Sequence, residues 1–164
     1  MRAVAPFLTA ILVLGAAASA AEAQAPQELL GGWIATSWTS SDGEVNSEPQ
    51  RGLLMFTAAG QYSMMYVPGA EPRAQYSGEN QTDAEILASY ASFVANSGRY
   101  TVEGGQITFE AYMAKDPNYM AGFDTEEGNG VTVEFSIEDE ILTLQWVDGF
   151  DPGSSATFRR PRTD

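Results

Sequence analysis

Chemistry in this chain must proceed without the two most versatile catalytic side chains, because its 164 residues include no cysteine and no histidine. A Cys–His or Ser–His nucleophile is therefore excluded. A transition-metal site, which draws on thiolate and imidazole ligands, is not expected either. Tyrosines, carboxylates and the single lysine, Lys115, remain. Glu110 and Tyr112 could act as base and acid if they shared a cavity. Strand alternation puts them on the face opposite Phe109, turned outward. Lys115 lies next to Pro117-Asn118-Tyr119 in a loop and is expected to be exposed. The run Asp124 to Gly130 offers oxygen ligands but not the spacing of a calcium-binding EF-hand loop, so it reads as a solvated loop. No Gly-rich phosphate-binding turn leads from a strand into a helix. Catalytic residues, a metal and a cofactor are thus all expected to be absent.

The polar groups best placed to act together are Ser37, Tyr62, Tyr66 and Tyr100. Each falls at an inward position of an alternating segment, and those segments define the architecture. Trp33 to Thr39 ends at the turn-rich Ser40-Ser41-Asp42-Gly43. Gly52 to Thr57 and Gln61 to Val67 are joined by Ala58-Ala59-Gly60 and read as a hairpin, stopped by Pro68-Gly69. Arg99 to Val102 and Gln106 to Met113 flank Glu103-Gly104-Gly105, while Val131 to Ile137 and Ile141 to Val147 flank Glu138-Asp139-Glu140. A last strand ends at Arg160-Pro161. One helix interrupts the series. Thr82 with Glu85 forms a capping box. Ile86, Tyr90, Phe93 and Val94 then share a face that should pack on the sheet, and Asn96-Ser97-Gly98 ends the helix.

Eight short strands with Gly-rich turns and one helix predict an all-β chain, an eight-stranded antiparallel β-barrel with the α-helix packed on it. Closure removes exposed sheet edges, which matters in a chain without disulfides. Alternation then gives an apolar, aromatic interior. Its candidate ligand-binding residues are Ser37, Leu54, Phe56, Tyr62, Met64, Tyr66, Tyr100, Phe109, Met113, Phe135, Leu144 and Trp146.

Gly31-Gly32-Trp33 at the head of the first strand, with Arg160 in the last, resembles the G-x-W signature and closing arginine of the lipocalins. More specifically, the chain resembles the bacterial and fungal lipocalin-like domain family. The resemblance is carried by Gly52 to Thr57 with Gly60, Tyr90 to Phe93 with Gly98-Arg99-Tyr100, Pro117-Asn118-Tyr119 with Gly122, and Phe135-Ser136-Ile137 before Leu142-Thr143-Leu144. It spans about Leu29 to Arg160 and implies a barrel with a central cavity. It also implies a structural role for Gly31, Trp33 and Arg160, the arginine stacking on the indole to close the barrel. Family members often carry histidines before the Pro-Asn loop, where this chain has Phe109 and Glu110, and arginine after it, where Val133 and Glu134 stand. Activities that rest on those groups are not expected here.

Met1-Arg2, the uncharged apolar run Val4 to Ala18 and Ala18-Ser19-Ala20 read as a signal peptide over residues 1–20. Residues 21–28 then form a linker and residues 29–164 the barrel domain, periplasmic or secreted, with no membrane insertion after cleavage. Twenty-two acidic against eight basic residues, a net charge of −14, argue against nucleic acid and against anionic lipid as partners. The function expected is an exported module that binds a small hydrophobic or aromatic molecule. Two alternatives are an isomerase or cyclase using Tyr62, Tyr66 and Tyr100, and a barrel with a filled core that serves only structure or interaction.

Overall fold

Alternating apolar and polar residues fold into strands because one face can be buried while the other stays wet. In the computed structural model, which describes residues 25–49, 52–123, 125, 128–149 and 151–162, that alternation yields nine strands. They are β1 (Gly31–Thr39), β2 (Val45–Asn46), β3 (Leu53–Phe56), β4 (Gln61–Tyr66), β5 (Val94–Glu103), β6 (Gln106–Ala114), β7 (Val131–Glu138), β8 (Ile141–Trp146) and β9 (Ser155–Arg159). All pairings are antiparallel between neighbours in the order β2-β1-β3-β4-β5-β6-β7-β8-β9, and β1 also pairs with β9. The sheet therefore closes into the expected eight-stranded barrel. The two-residue β2 is an appendage on the far end of β1, pairing Trp38 with Asn46 and Thr39 with Val45.

The two ends of the barrel differ because their connections differ. At one end the turns are tight. Gly104 and Gly105, both at positive φ (59° and 83°), join β5 to β6, and Asp139-Glu140 joins β7 to β8. That end is also plugged by the segment before β1, where Leu29 is fully buried and Ala25 packs against the core. At the other end run the long connections: residues 67–93, 115–130 and 147–154.

The plugged end carries the closure implied by Gly31, Trp33 and Arg160. The Arg160 guanidinium lies 3.7 Å from the centre of the Trp33 ring. Its Nη1 donates to the carbonyls of Leu30 at 2.7 Å and Gly32 at 3.4 Å, and its Nη2 donates to that of Glu28. The Trp33 indole donates to the Leu29 carbonyl at 2.8 Å. Gly31 adopts φ 98°, a backbone shape favouring glycine, and a Cβ there would sit 3.3 Å from Arg160 Nη1. Above this floor the interior is solid. Leu54, Phe56, Ile107, Phe109, Val133, Leu142, Leu144 and Phe158 are all essentially buried. Phe56 packs edge-on against Tyr100 at 4.9 Å and stacks with Phe109 at 6.0 Å.

Two expectations change. The helix α1 runs Asp83–Ala91, with the Thr82–Glu85 capping box as predicted, but it ends at Ser92 rather than at Asn96-Ser97-Gly98. Residues Val94 to Gly98 instead open β5, pairing with Tyr66 to Tyr62, so sheet pairing overrides the helical periodicity of Phe93 and Val94. Nor does the helix bury a face on the sheet: none of its residues is buried, and Ile86, Leu87 and Tyr90 are exposed. It is held at its last turn, where Tyr90 Oη donates to the Lys115 carbonyl at 2.6 Å and Arg73 donates to Ser89 and Ser92. Residues 1–20, read as a signal peptide, and Asp124, Glu126 and Glu127 of the acidic run lie outside the described residues.

Candidate functional site

Strand alternation would carry Trp33, Ala35 and Ser37 to the interior, but β1 contains a bulge. Ala35 pairs with Phe158 and Ser37 with Thr157, so Thr36 is the extra residue. Beyond the bulge the faces exchange. Ser37 Oγ turns outward to the Thr157 hydroxyl at 2.7 Å, and Trp38 turns in. A second bulge lies in β6, where Ser97 pairs with Met113 and Gly98 with Ala111, leaving Tyr112 extra. There Ala114 turns inward, while Met113 is 65% exposed. Gly98 is what admits this bulge, since a Cβ on it would lie 1.9 Å from the Glu110 carbonyl oxygen. Ser37 and Met113, expected as ligand-binding residues, are therefore corrected: one-residue slips turn both away from the interior.

The inward residues beyond the two bulges enclose a cavity of about 350 Å³ at the long-loop end. Its wall is aromatic: Trp38 stacks on Tyr66 at 5.1 Å and 20°, and packs tilted against Trp146 at 4.9 Å and 46°. Met64, Val94, Ala95, Ala114 and Tyr119 complete the apolar lining, while Asn96, Lys115, Asp116, Asp151 and Ser154 supply polar groups. Pro68 and Asp116, both exposed, mark its rim.

Of the other residues expected to line a pocket, Met64, Tyr66 and Trp146 do so. Leu54, Phe56, Tyr62, Tyr100, Phe109 and Leu144 belong to the packed core, and Phe135 packs against it half-buried. The interior is thus filled near the floor and hollow near the loops. Tyr100 stands apart from Tyr66: its Oη donates to the Thr57 carbonyl at 2.9 Å, in the tight turn at the floor, while Tyr66 lines the cavity at the other end.

Lys115 is not the exposed residue expected. Its Nζ donates to the carbonyls of Tyr90 at 2.7 Å and Phe93 at 2.5 Å and lies over both rings, at 4.6 and 5.1 Å. Its charge thereby fastens the end of α1 to β6. Glu110 faces outward as expected, in a bidentate pair with Arg99 at 2.7 and 3.2 Å. Burial raises the pKa of the Tyr66 phenol, helped by the fields of Tyr119 and Asp151. Burial likewise raises that of Tyr119, with hydrogen bonding from Trp146 opposing it. Both phenols stay neutral at physiological pH, able to donate a hydrogen bond but unsuited to act as bases.

Sequence reasoning missed Trp38, Ala114, Tyr119, Asn96, Asp151 and Ser154. Trp38 did leave a signal, a large aromatic on the nominally outer face with Ile34 and Thr36. Ser154 left none: it follows a loop of Asp, Gly and Pro and is fully buried only because that loop folds over the barrel end.

The family model described as a lipocalin-like domain matches residues 35–151. No curated protein matches the chain. Among solved structures, it is similar to a lipocalin-like protein from Bacteroides uniformis at 17% identity and TM-score 0.47, covering 81% of this chain and 98% of that one. It is also similar to a protein from Bacteroides eggerthii at 14% identity and TM-score 0.46, with 81% and 99% covered. A de novo designed fluorescence-activating β-barrel matches at 13% identity and TM-score 0.42, with 84% and 98% covered.

Proposed function

The chain belongs to the lipocalin-like domain family, and we propose that it is an exported binding module that holds one small, largely apolar or aromatic molecule at the long-loop end of its barrel. The observation that carries this reading is the cavity of about 350 Å³ walled by Trp38, Tyr66 and Trp146. Its size falls toward the lower end of ligand pockets, which run roughly 300–1,000 Å³. A flat ring can stack on such a wall with little loss of conformational entropy, and burying its faces removes apolar surface from water. Met64 adds a side chain that adjusts to the ligand's outline. The solid floor supports the pocket from below and keeps the ligand near the mouth.

We place the binding reading ahead of the enzymatic one because Tyr100 donates to the Thr57 carbonyl at the floor, which separates it from Tyr66 in the cavity wall. The filled-core reading describes the lower half of the barrel only. Export is carried by the apolar run and Ala18-Ser19-Ala20 at the N-terminus.

The test is a titration of intrinsic fluorescence with hydrophobic aromatic probes, together with mass spectrometry of anything that co-purifies. Saturable, one-site quenching is the expected result. A linear response to every probe and no co-purified compound would remove the proposal.

A further inference from the structure

The cavity's polar groups are not evenly committed. Ser154 is fully buried and forms part of the cavity wall, yet its hydroxyl has no hydrogen-bond partner among the described residues. Its backbone is fixed on both sides. Ser154 N donates to the Asp151 carbonyl at 3.0 Å, and its own carbonyl accepts from Trp146 N at 2.9 Å. The backbone of Ser154 is thus held in place while its hydroxyl keeps unused capacity, and leaving a buried hydroxyl unpaired is unfavourable.

The charges around it favour one sign. Lys115, the cation in the cavity wall, is already occupied by two backbone carbonyls and two rings. Asp151 and Asp116 place two carboxyl groups in the cavity wall. Asp151 accepts from the Ser41 hydroxyl and amide, and Asp116 accepts from Asn118 N at 2.9 Å. Among the described residues neither carboxylate is in an ion pair. Each carboxylate has lone pairs left to accept further hydrogen bonds. The field of Asp151 reaches the Tyr66 phenol, so it is felt within the cavity.

We infer that the cavity selects an aromatic amine, its ring against Trp38, Tyr66 and Trp146 and its protonated nitrogen directed to the Ser154 hydroxyl and the Asp151 carboxylate. This inference rests on the binding reading above and narrows its ligand class. A cation is attracted both by the carboxylates and by the faces of indole and phenol rings. An anion of the same shape, such as an aryl carboxylate or a fatty acid, meets two carboxylates and a lysine already in use. The chain's net charge of −14 adds long-range steering of the same sign.

Calorimetric titration of the purified protein with three ligands that share one ring tests this: 2-phenylethylamine, 2-phenylethanol and phenylacetate. The amine is expected to bind about tenfold tighter than the carboxylate, with the alcohol between, and to weaken as salt is raised. Asp151→Asn should bring the amine to about the affinity of the alcohol while leaving the alcohol unchanged. Ser154→Ala should weaken amine and alcohol alike. Asp116→Asn, at the exposed rim, gives a second charge variant that leaves the loop contacts of Asp151 intact and should lower only the amine's affinity. Equal affinities for the three, or a tighter carboxylate, overturn the inference while leaving the binding reading in place. Silence with the alcohol and with hydrophobic aromatic probes as well would overturn both.

Discussion

Trp38 and Tyr66 stack at 5.1 Å with 20° between their ring planes, although their strands, β1 and β4, are not neighbours in the barrel. The strand between them, β3, begins only at Leu53, and the residue at that level is Gly52. A Cβ on Gly52 would lie 2.5 Å from Tyr66 Cβ and 3.2 Å from Ala35 Cβ. Tyr66 thus stands beside a position that carries no side chain, and its contact with Trp38 forms one wall of the cavity. Gly52→Ala should therefore push Tyr66 out of the stack. The expected cost is about 2 kcal/mol of stability in urea denaturation, with weaker binding of aromatic probes.

The bulge at Thr36 makes opposite predictions for adjacent residues. Trp38→Ala should weaken aromatic ligands by about tenfold in a fluorescence or calorimetric titration. Ser37→Ala should leave affinity unchanged and cost only about 1 kcal/mol of stability, the value of its hydrogen bond to Thr157. The reverse pattern would mean that β1 continues in unbroken register.

At the floor, Arg160→Ala should lower stability by about 3 kcal/mol in denaturant unfolding, because it removes a stacked cation and the donor to three backbone carbonyls. Arg160→Lys keeps the charge but not the planar fork, and should recover only part of that loss. Ligand affinity at the far end of the barrel should stay unchanged in both variants.

The β7–β8 turn has Asp139 and Glu140 at φ 49° and 65°, a conformation that L-residues adopt at a cost. The equivalent β5–β6 turn uses Gly104-Gly105. Glu140→Gly should therefore stabilise the protein by about 1 kcal/mol, raising Tm by about 3 °C in a thermal melt. An unchanged or lowered Tm would contradict the turn geometry.

The helix cap has a defined pH response. The Glu85 carboxylate accepts from Thr82 N at 2.8 Å, Ser77 N at 2.9 Å and the Thr82 hydroxyl at 3.0 Å, which holds its pKa down to about 2. A depressed carboxylate pKa contributes stability above its ordinary value of 4.5 that is lost as pH falls toward about 2. Arg99, hydrogen-bonded to Glu110, depresses that carboxylate in the same direction. NMR titration should show the Glu85 side chain changing late, near pH 2, as the α1 amides lose protection. A midpoint near 4.5 would mean that the cap is not formed.

The barrel was legible in the sequence because alternation is a local signal and appears in every strand. Gly31, Trp33 and Arg160 carried the closure, and Thr82 with Glu85 carried the helix start. The mouth of the barrel was not legible, for a physical reason. A bulge changes the parity of a strand without changing its composition, so everything beyond Thr36 in β1 and beyond Tyr112 in β6 was assigned to the wrong face. The part of the barrel affected is the part that holds the cavity. Val94 to Gly98 was assigned to the helix because Phe93 and Val94 continue its period, and only pairing with β4 makes those residues a strand. Ser154 and Asp151 reach the cavity through a loop whose path no periodicity encodes.

The three tryptophans offer the most direct test of the central claim, that one small molecule binds at the long-loop end against the aromatic wall. Trp38 and Trp146 line the cavity, and Trp33 lies in the floor under Arg160. In a nitrogen–proton NMR titration with an aromatic ligand, the indole signals of Trp38 and Trp146 should shift together and saturate while that of Trp33 stays fixed. A shift at Trp33 alone, or no saturable change in any of the three, would contradict the account.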